Sequence, residues 1–149
     1  MYQYTCQKDI EEQTARYQIS ISELAARHEA EREEVDVSVV MERMQQSLAV
    51  MKTNILTGVE CVQPSIGGLI RGNAARMYRY ATTGAPLGGE LLARAVAYAL
   101  AVTEENARMQ RIVACPTAGA CGVVPACLIA VGEARGLDDA ALTRALFNA

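Results

Sequence analysis

Apolar residues return at steps of three and four along most of this chain, and that period predicts helices. The clearest case is Val37, Met41, Met44, Leu48, Met51 and Ile55, one stripe along a long helix whose methionines read as core filler. Asp36 or Ser38 is placed to cap that helix, and Gly58 to stop it. Upstream, Lys8 to Tyr17 is polar and predicts a short exposed helix. Ser20-Ile-Ser-Glu23 then has the form of a capping box, with Glu23 expected to reach back to the Ser20 N–H, and opens a helix to about Glu34. Downstream, the spacing predicts helices over Asn73 to Tyr80, over the Ala-rich stretch from Glu90 to about Met109, and from about Val124 to Arg135. A last helix is capped by Asp138. The fold class is mostly α.

Two stretches lose the period. Residues 59 to 72 read Val-Glu-Cys-Val-Gln-Pro-Ser-Ile-Gly-Gly-Leu-Ile-Arg-Gly, too glycine-rich for a helix and too broken for a strand. Cys115-Pro-Thr-Ala-Gly-Ala-Cys-Gly-Val-Val-Pro-Ala-Cys127 packs three of the five cysteines into a run with no charge between Arg111 and Glu133. Pro116 predicts an extended Cys115, Gly119 and Gly122 predict turns, and Pro125 suits the first turn of the helix that follows. A glycine turn feeding a helix start offers N–H groups to an anion. The architecture expected is a helical domain interrupted by two Gly-rich loops, with a last helix that stops in mid-element, so that residues 1–149 form a domain incomplete at its C-terminus.

Charge narrows the function. The chain has 149 residues, a net charge of −3 and a pI near 5.2, so nothing in it attracts a phosphate backbone, and no nucleic-acid partner is expected. The first residues lack the basic-then-apolar order of a signal peptide, which points to the cytoplasm, where five cysteines are thiols or metal ligands rather than disulfides. The uncharged run is long enough to cross a membrane, yet its prolines and glycines favour a buried loop and helix, and no membrane partner is expected.

Chemistry is sparse. The C-x5-C-x5-C spacing matches neither zinc knuckles nor ferredoxin runs. Cys127 reads as a small core residue, and Cys115 and Cys121 stay as the metal-ligand candidates. His28, the single histidine, lies in a charged helix and reads as a surface side chain. Glu104 and Glu105 are possible general bases, although helix-end carboxylates are usually solvated. Arg71, Arg76 and Arg79 are possible anion contacts.

Ala101-Val-Thr-Glu-Glu-Asn-Ala107, followed by Val113-Ala-Cys-Pro-Thr-Ala-Gly-Ala-Cys-Gly-Val-Val-Pro-Ala126, closely resembles the iron–sulfur-dependent L-serine dehydratase family, in the front part of its alpha chain or alpha domain. The resemblance runs from about Ser20 onward. It implies a helical catalytic domain that works with a [4Fe-4S] cluster acting as Lewis acid, converting L-serine to pyruvate and ammonia. It also implies a beta chain or beta domain as partner, in a homo- or hetero-oligomer. Carried over by motif, Thr117, Gly119 and Ala120 fall in the substrate loop, Asn106 in a pair that orients that loop, and Ser65 and Gly68 in a second substrate segment. There the chain reads Gly68-Leu-Ile-Arg-Gly-Asn-Ala74 where relatives commonly read Gly-Leu-Thr-Gly-Gly-Asp-Ala, replacing a hydroxyl, a glycine and a carboxylate. The family's cluster ligands are cysteines expected beyond residue 149, so no metal ligand is assigned here and the chain alone is expected to be inactive. Two other readings stand beside this one: a non-catalytic helical module for binding or assembly, and a related lyase acting on L-threonine or L-cysteine.

Overall fold

The structure, a computed structural model, describes residues 2–149. The described residues form seven α-helices and one 3₁₀ turn, with a single isolated bridge between Pro64 and Arg71 in place of any strand. They divide into two compact units, the first running to Gln46 and including Asp139–Ala149, the second covering Ser47–Asp138.

The first unit contains α1 (Gln7–Tyr17), α2 (Ile21–Glu33), the start of α3 (Val37–Glu60) and α7 (Asp139–Leu146). Asp9 accepts the N–H groups of Thr5 (2.8 Å) and Cys6 (3.2 Å) ahead of α1, and the Thr5 bonds hold its carboxyl below the usual carboxylate range. Ser20 caps α2 as expected, its Oγ accepting the Glu23 N–H at 3.2 Å. The Glu23 carboxylate does not reach back to Ser20. It pairs with Arg27 one turn on, where a cation one turn C-terminal on the same face is the nearer partner. Leu24, Ala26, Ala30, Leu142 and Leu146 form the buried interior. His28 is not a free surface side chain. Its Nδ1 donates to the Tyr2 carbonyl oxygen at 2.6 Å and its ring lies 4.9 Å from that of Tyr4, so it fastens the N-terminal segment to α2.

In the second unit α5 (Glu90–Ala107) packs against both α4 (Asn73–Thr83) and α6 (Val123–Arg135). Ala93, Ala97 and Ala101 are buried on its inner side with Tyr98 and Val102, and the small residues let neighbouring backbones come close. Gly58 shows why. It does not stop α3, which continues to Glu60. A Cβ at this position would lie 2.7 Å from the Ala101 Cβ, so the glycine is there for a close helix contact. The stripe drawn from periodicity holds where it meets the core, with Leu48, Met51 and Ile55 buried. Each such side chain contributes about 1.5–3 kcal/mol.

The segment Ala118–Arg135, charged only at Glu133 and Arg135, has a mean hydropathy of 1.3, enough by length and composition to cross a membrane. It is broken, however, into a 3₁₀ turn (Ala118–Ala120) and α6, and Pro125, Ala126, Ile129 and Ala130 of α6 are buried in the second unit. Those positions lie on one side of the helix, which places Cys127 on the other: it is exposed, not the core residue its small apolar character suggested.

Candidate functional site

The last turn of α5 is where the two Gly-rich loops are fastened. Glu104 and Glu105 are only 1% and 4% exposed, contrary to the expectation of solvated helix-end carboxylates. The reason is Arg108, which follows the helix and pairs with both: its Nη2 donates to Glu104 at 2.9 Å and its Nη1 to Glu105 at 2.7 Å. Burial alone lowers the Arg108 pKa, but the two carboxylates outweigh it and leave the guanidinium above its ordinary value. Its Nε and Nη2 also donate to the Gln63 carbonyl oxygen at 3.1 and 3.0 Å.

That last pair of bonds brings in the first loop, which links α3 to α4. Within it the Ser65 N–H donates to the Ile70 carbonyl (2.8 Å), the Gly68 N–H to the Ser65 carbonyl (2.8 Å), and the Ile70 N–H to the Ser65 Oγ (3.3 Å). Gly68 takes φ 70°, which a residue with a side chain would resist. Ser65 and Gly68 thus form one tight turn, with the Ser65 hydroxyl buried and accepting inside it, while Ile66 and Leu69 project from the tip. At its far end the loop enters α4 through Gly72, which has no side chain to cap the helix. Glu104 does so from α5: its Oε1 accepts the N–H groups of Asn73 (2.6 Å) and Ala74 (3.3 Å). The start of α4 therefore has a built-in carboxylate. Of the arginines considered as anion contacts, Arg76 is occupied with the Arg71 carbonyl (3.0 Å) and the Asn73 side chain (2.5 Å), and Arg71 and Arg79 are exposed.

The second loop runs from Gln110 to Gly122. Its Cys115–Pro116 peptide bond is cis, which the sequence alone did not indicate. Thr117 caps the 3₁₀ turn, its Oγ1 accepting the Ala120 N–H at 3.3 Å, and Asn106 Nδ2 donates to the Ala118 carbonyl at 3.4 Å. Asn106, Thr117, Gly119 and Ala120 are thus brought to one place, and residues 116–119 are exposed. Ser65 and Gly68 belong to the other loop. Gly119 lies in the 3₁₀ turn and Gly122 in the turn before α6, as expected, but neither adopts a positive φ, so left-handed backbone is not what requires a glycine there. Gly122 is instead required by packing: a Cβ there would lie 2.6 Å from the Ala99 carbonyl oxygen.

The cysteines do not form a metal site. Among the described residues no three His, Cys, Asp or Glu side chains are grouped to hold an ion. Cys121 is buried, Cys115 partly so and Cys127 exposed, and burial pushes the Cys115 and Cys121 thiols up. A feature missed in the sequence is a cavity of about 330 Å³ lined by Val50, Thr53, Asn54, Thr57, Glu105 and Arg111, in whose wall the Asn54 Nδ2 is buried without a hydrogen-bond partner. Also missed was the Glu104–Arg108 pair, although an i,i+4 Glu–Arg couple ending an apolar helix was there to be read.

Residues 16–149 match the family described as serine dehydratase alpha chain. The "Probable L-serine dehydratase, alpha chain" of Bacillus subtilis (strain 168) is 37% identical over 142 residues, covering 95% of this chain and 47% of that protein. The "L-serine dehydratase, alpha chain" of Peptoniphilus asaccharolyticus is 46% identical over 70 residues, covering 47% of this chain and 24% of that protein. No solved structure matches. The chain thus spans about half the length of the Bacillus relative, and less of the other is aligned. With the loops, the α5 turn between them and nearly the whole length inside the matched region, this chain belongs to the serine dehydratase alpha chain family.

Proposed function

We propose that this chain forms part of an L-serine ammonia-lyase and contributes the loop that holds the substrate. The observation that carries the reading is the exposed second loop, whose motif sits inside the family match and whose Thr117 hydroxyl is oriented by its own backbone. A hydroxyl has one proton and two lone pairs. Accepting the Ala120 N–H leaves the Thr117 proton free to donate to the carboxylate of an amino acid laid along Pro116–Ala120, with Asn106 steadying the backbone behind it.

The reaction proposed removes the α-proton and the β-hydroxyl of L-serine as water. The resulting aminoacrylate hydrolyses to pyruvate and ammonia. The described residues do not fit an iron–sulfur cluster. An iron–sulfur cluster, which would supply Lewis-acid chemistry at the leaving hydroxyl, is proposed to be held by ligands other than these residues. A beta chain or beta domain is the proposed partner, and the cytoplasm the proposed compartment.

The test is Thr117→Val in the assembled enzyme, which keeps the shape of the side chain and removes its donor and acceptor. KM for L-serine should rise by about tenfold, the worth of one hydrogen bond to a charged group. Kinetics equal to those of the parent enzyme would overturn the assignment.

A further inference from the structure

We propose that Glu104 and Arg108 are positioning residues: a buried clasp on the last turn of α5 that sets where the first loop stands beside the second. The inference rests on the reading of these loops as the substrate site, and it names residues that the loop motifs do not include.

The clasp closes the first loop at both ends. Arg108 holds the Gln63 carbonyl where the chain enters the loop, and Glu104 holds the N–H groups of Asn73 and Ala74 where it leaves. Glu104 and Arg108 are in turn bonded to each other at 2.9 Å, so entry and exit are tied through a single ion pair. Asn106, between them in sequence, carries the bond to Ala118 of the second loop. Three residues of one helix end, Glu104, Asn106 and Arg108, therefore set the spacing between the two loops.

Stability does not require this arrangement. Apolar side chains of similar volume commonly stabilise a buried site as well as an ion pair does or better. A charged cluster that is 9% and 2% exposed, with each arm on a different segment, supplies direction that apolar packing lacks. Arginine is suited to this task, because its planar fork reaches Glu104, Glu105 and the Gln63 carbonyl at once, which the single ammonium of lysine does not.

The experiment compares Arg108→Lys and Glu104→Gln with the parent. In the assembled enzyme, KM and kcat for L-serine are measured; in this chain, backbone hydrogen exchange at Asn73 and Ala74 is followed beside amides in the middle of α5. A clasp that positions the loop predicts faster exchange at Asn73 and Ala74 with the α5 amides unchanged, and KM raised on the order of tenfold or more with kcat altered less. A purely structural role would lower the folded fraction while the folded enzyme kept its KM. The inference is overturned if both variants loosen Asn73 and Ala74 but retain the parental KM, or if neither changes the exchange. Absence of serine turnover in the parent assembly would instead overturn the proposed function, and selective loosening at Asn73 and Ala74 would still support the clasp. Arg108→Lys keeps the charge, so it remains informative should Glu104→Gln fail to fold.

Discussion

The two glycine-rich loops are fastened to the same helix end by different physics. The first is held by charge: one guanidinium and one carboxylate, nearly out of contact with water, grip its entry and exit. The second is held by shape and by a few weak bonds. Asn106 reaches it at 3.4 Å, Thr117 caps it from within, and Gly122 fits it against the Ala99 carbonyl where any side chain would collide. A loop set by buried charge is sensitive to loss of a countercharge and indifferent to small changes of volume. A loop set by shape has the opposite sensitivities.

The largest expected effect comes from breaking the charged anchor. Arg108→Met keeps much of the side chain's length and leaves Glu104 and Glu105 buried with no cation between them. Removing one partner of a buried cluster costs about 3–5 kcal/mol, which urea denaturation of this chain reads directly. A loss below about 1 kcal/mol, within the range of an exposed ion pair, would mean that the cluster is solvated and the contrast between the loops false.

Next comes the shape anchor. Gly122→Ala places a methyl group 2.6 Å from the Ala99 carbonyl oxygen and 3.2 Å from the Thr103 Oγ1, and α6 must shift away from α5 to admit it. Overpacking of this kind costs about 1–3 kcal/mol. Gly119→Ala is the matched control, since its nearest neighbour, the Thr117 Oγ1, would be 4.0 Å away and the backbone there is compatible with a side chain. It should change stability by less than about 0.5 kcal/mol. Equal losses at the two glycines in thermal melts would show that the loop resists substitution for a reason other than the contact with α5.

The same division explains what the sequence made legible. Helices were visible because their signals are local: the stripe through Leu48, Met51 and Ile55, and the Ser20 cap, depend on neighbours a few positions away. Gly58 was misread because a glycine looks the same whether it ends a helix or makes room for another one, and the deciding atoms belong to α5; the contact of Gly122 with α5 was hidden for the same reason. Cys127 was placed inside because burial was inferred from residue type rather than from the phase of α6. At the candidate site the motif named Asn106 of α5 and Thr117 of the second loop, which the fold brings close together. Glu104 remained hidden for a different reason: its partners at Asn73 and Ala74 lie some thirty residues away, and no local pattern announces a carboxylate that caps another helix.

The smallest expected effect separates the loops by pH. Burial raises the Cys115 and Cys121 thiols above their ordinary value of 9.0, so the folded second loop favours the protonated form. A group whose folded pKa is raised contributes stability that is fully present below its unfolded pKa and is lost as pH climbs through the folded one. Around and above pH 9 the second loop should therefore weaken slightly. The clasp of the first loop does not follow it, because the Arg108 pKa is raised from a value already far above that window. Iodoacetamide labelling read by mass spectrometry gives the order directly: exposed Cys6 and Cys127 first, then Cys115, with buried Cys121 last at every pH below that window and catching up as the pH rises. Replacing Cys121 by alanine should flatten the fall in stability across the alkaline range. If Cys121 reacts as fast as Cys127 at neutral pH, the second loop opens readily in solution, and the fit of Gly122 against Ala99 is not what holds it.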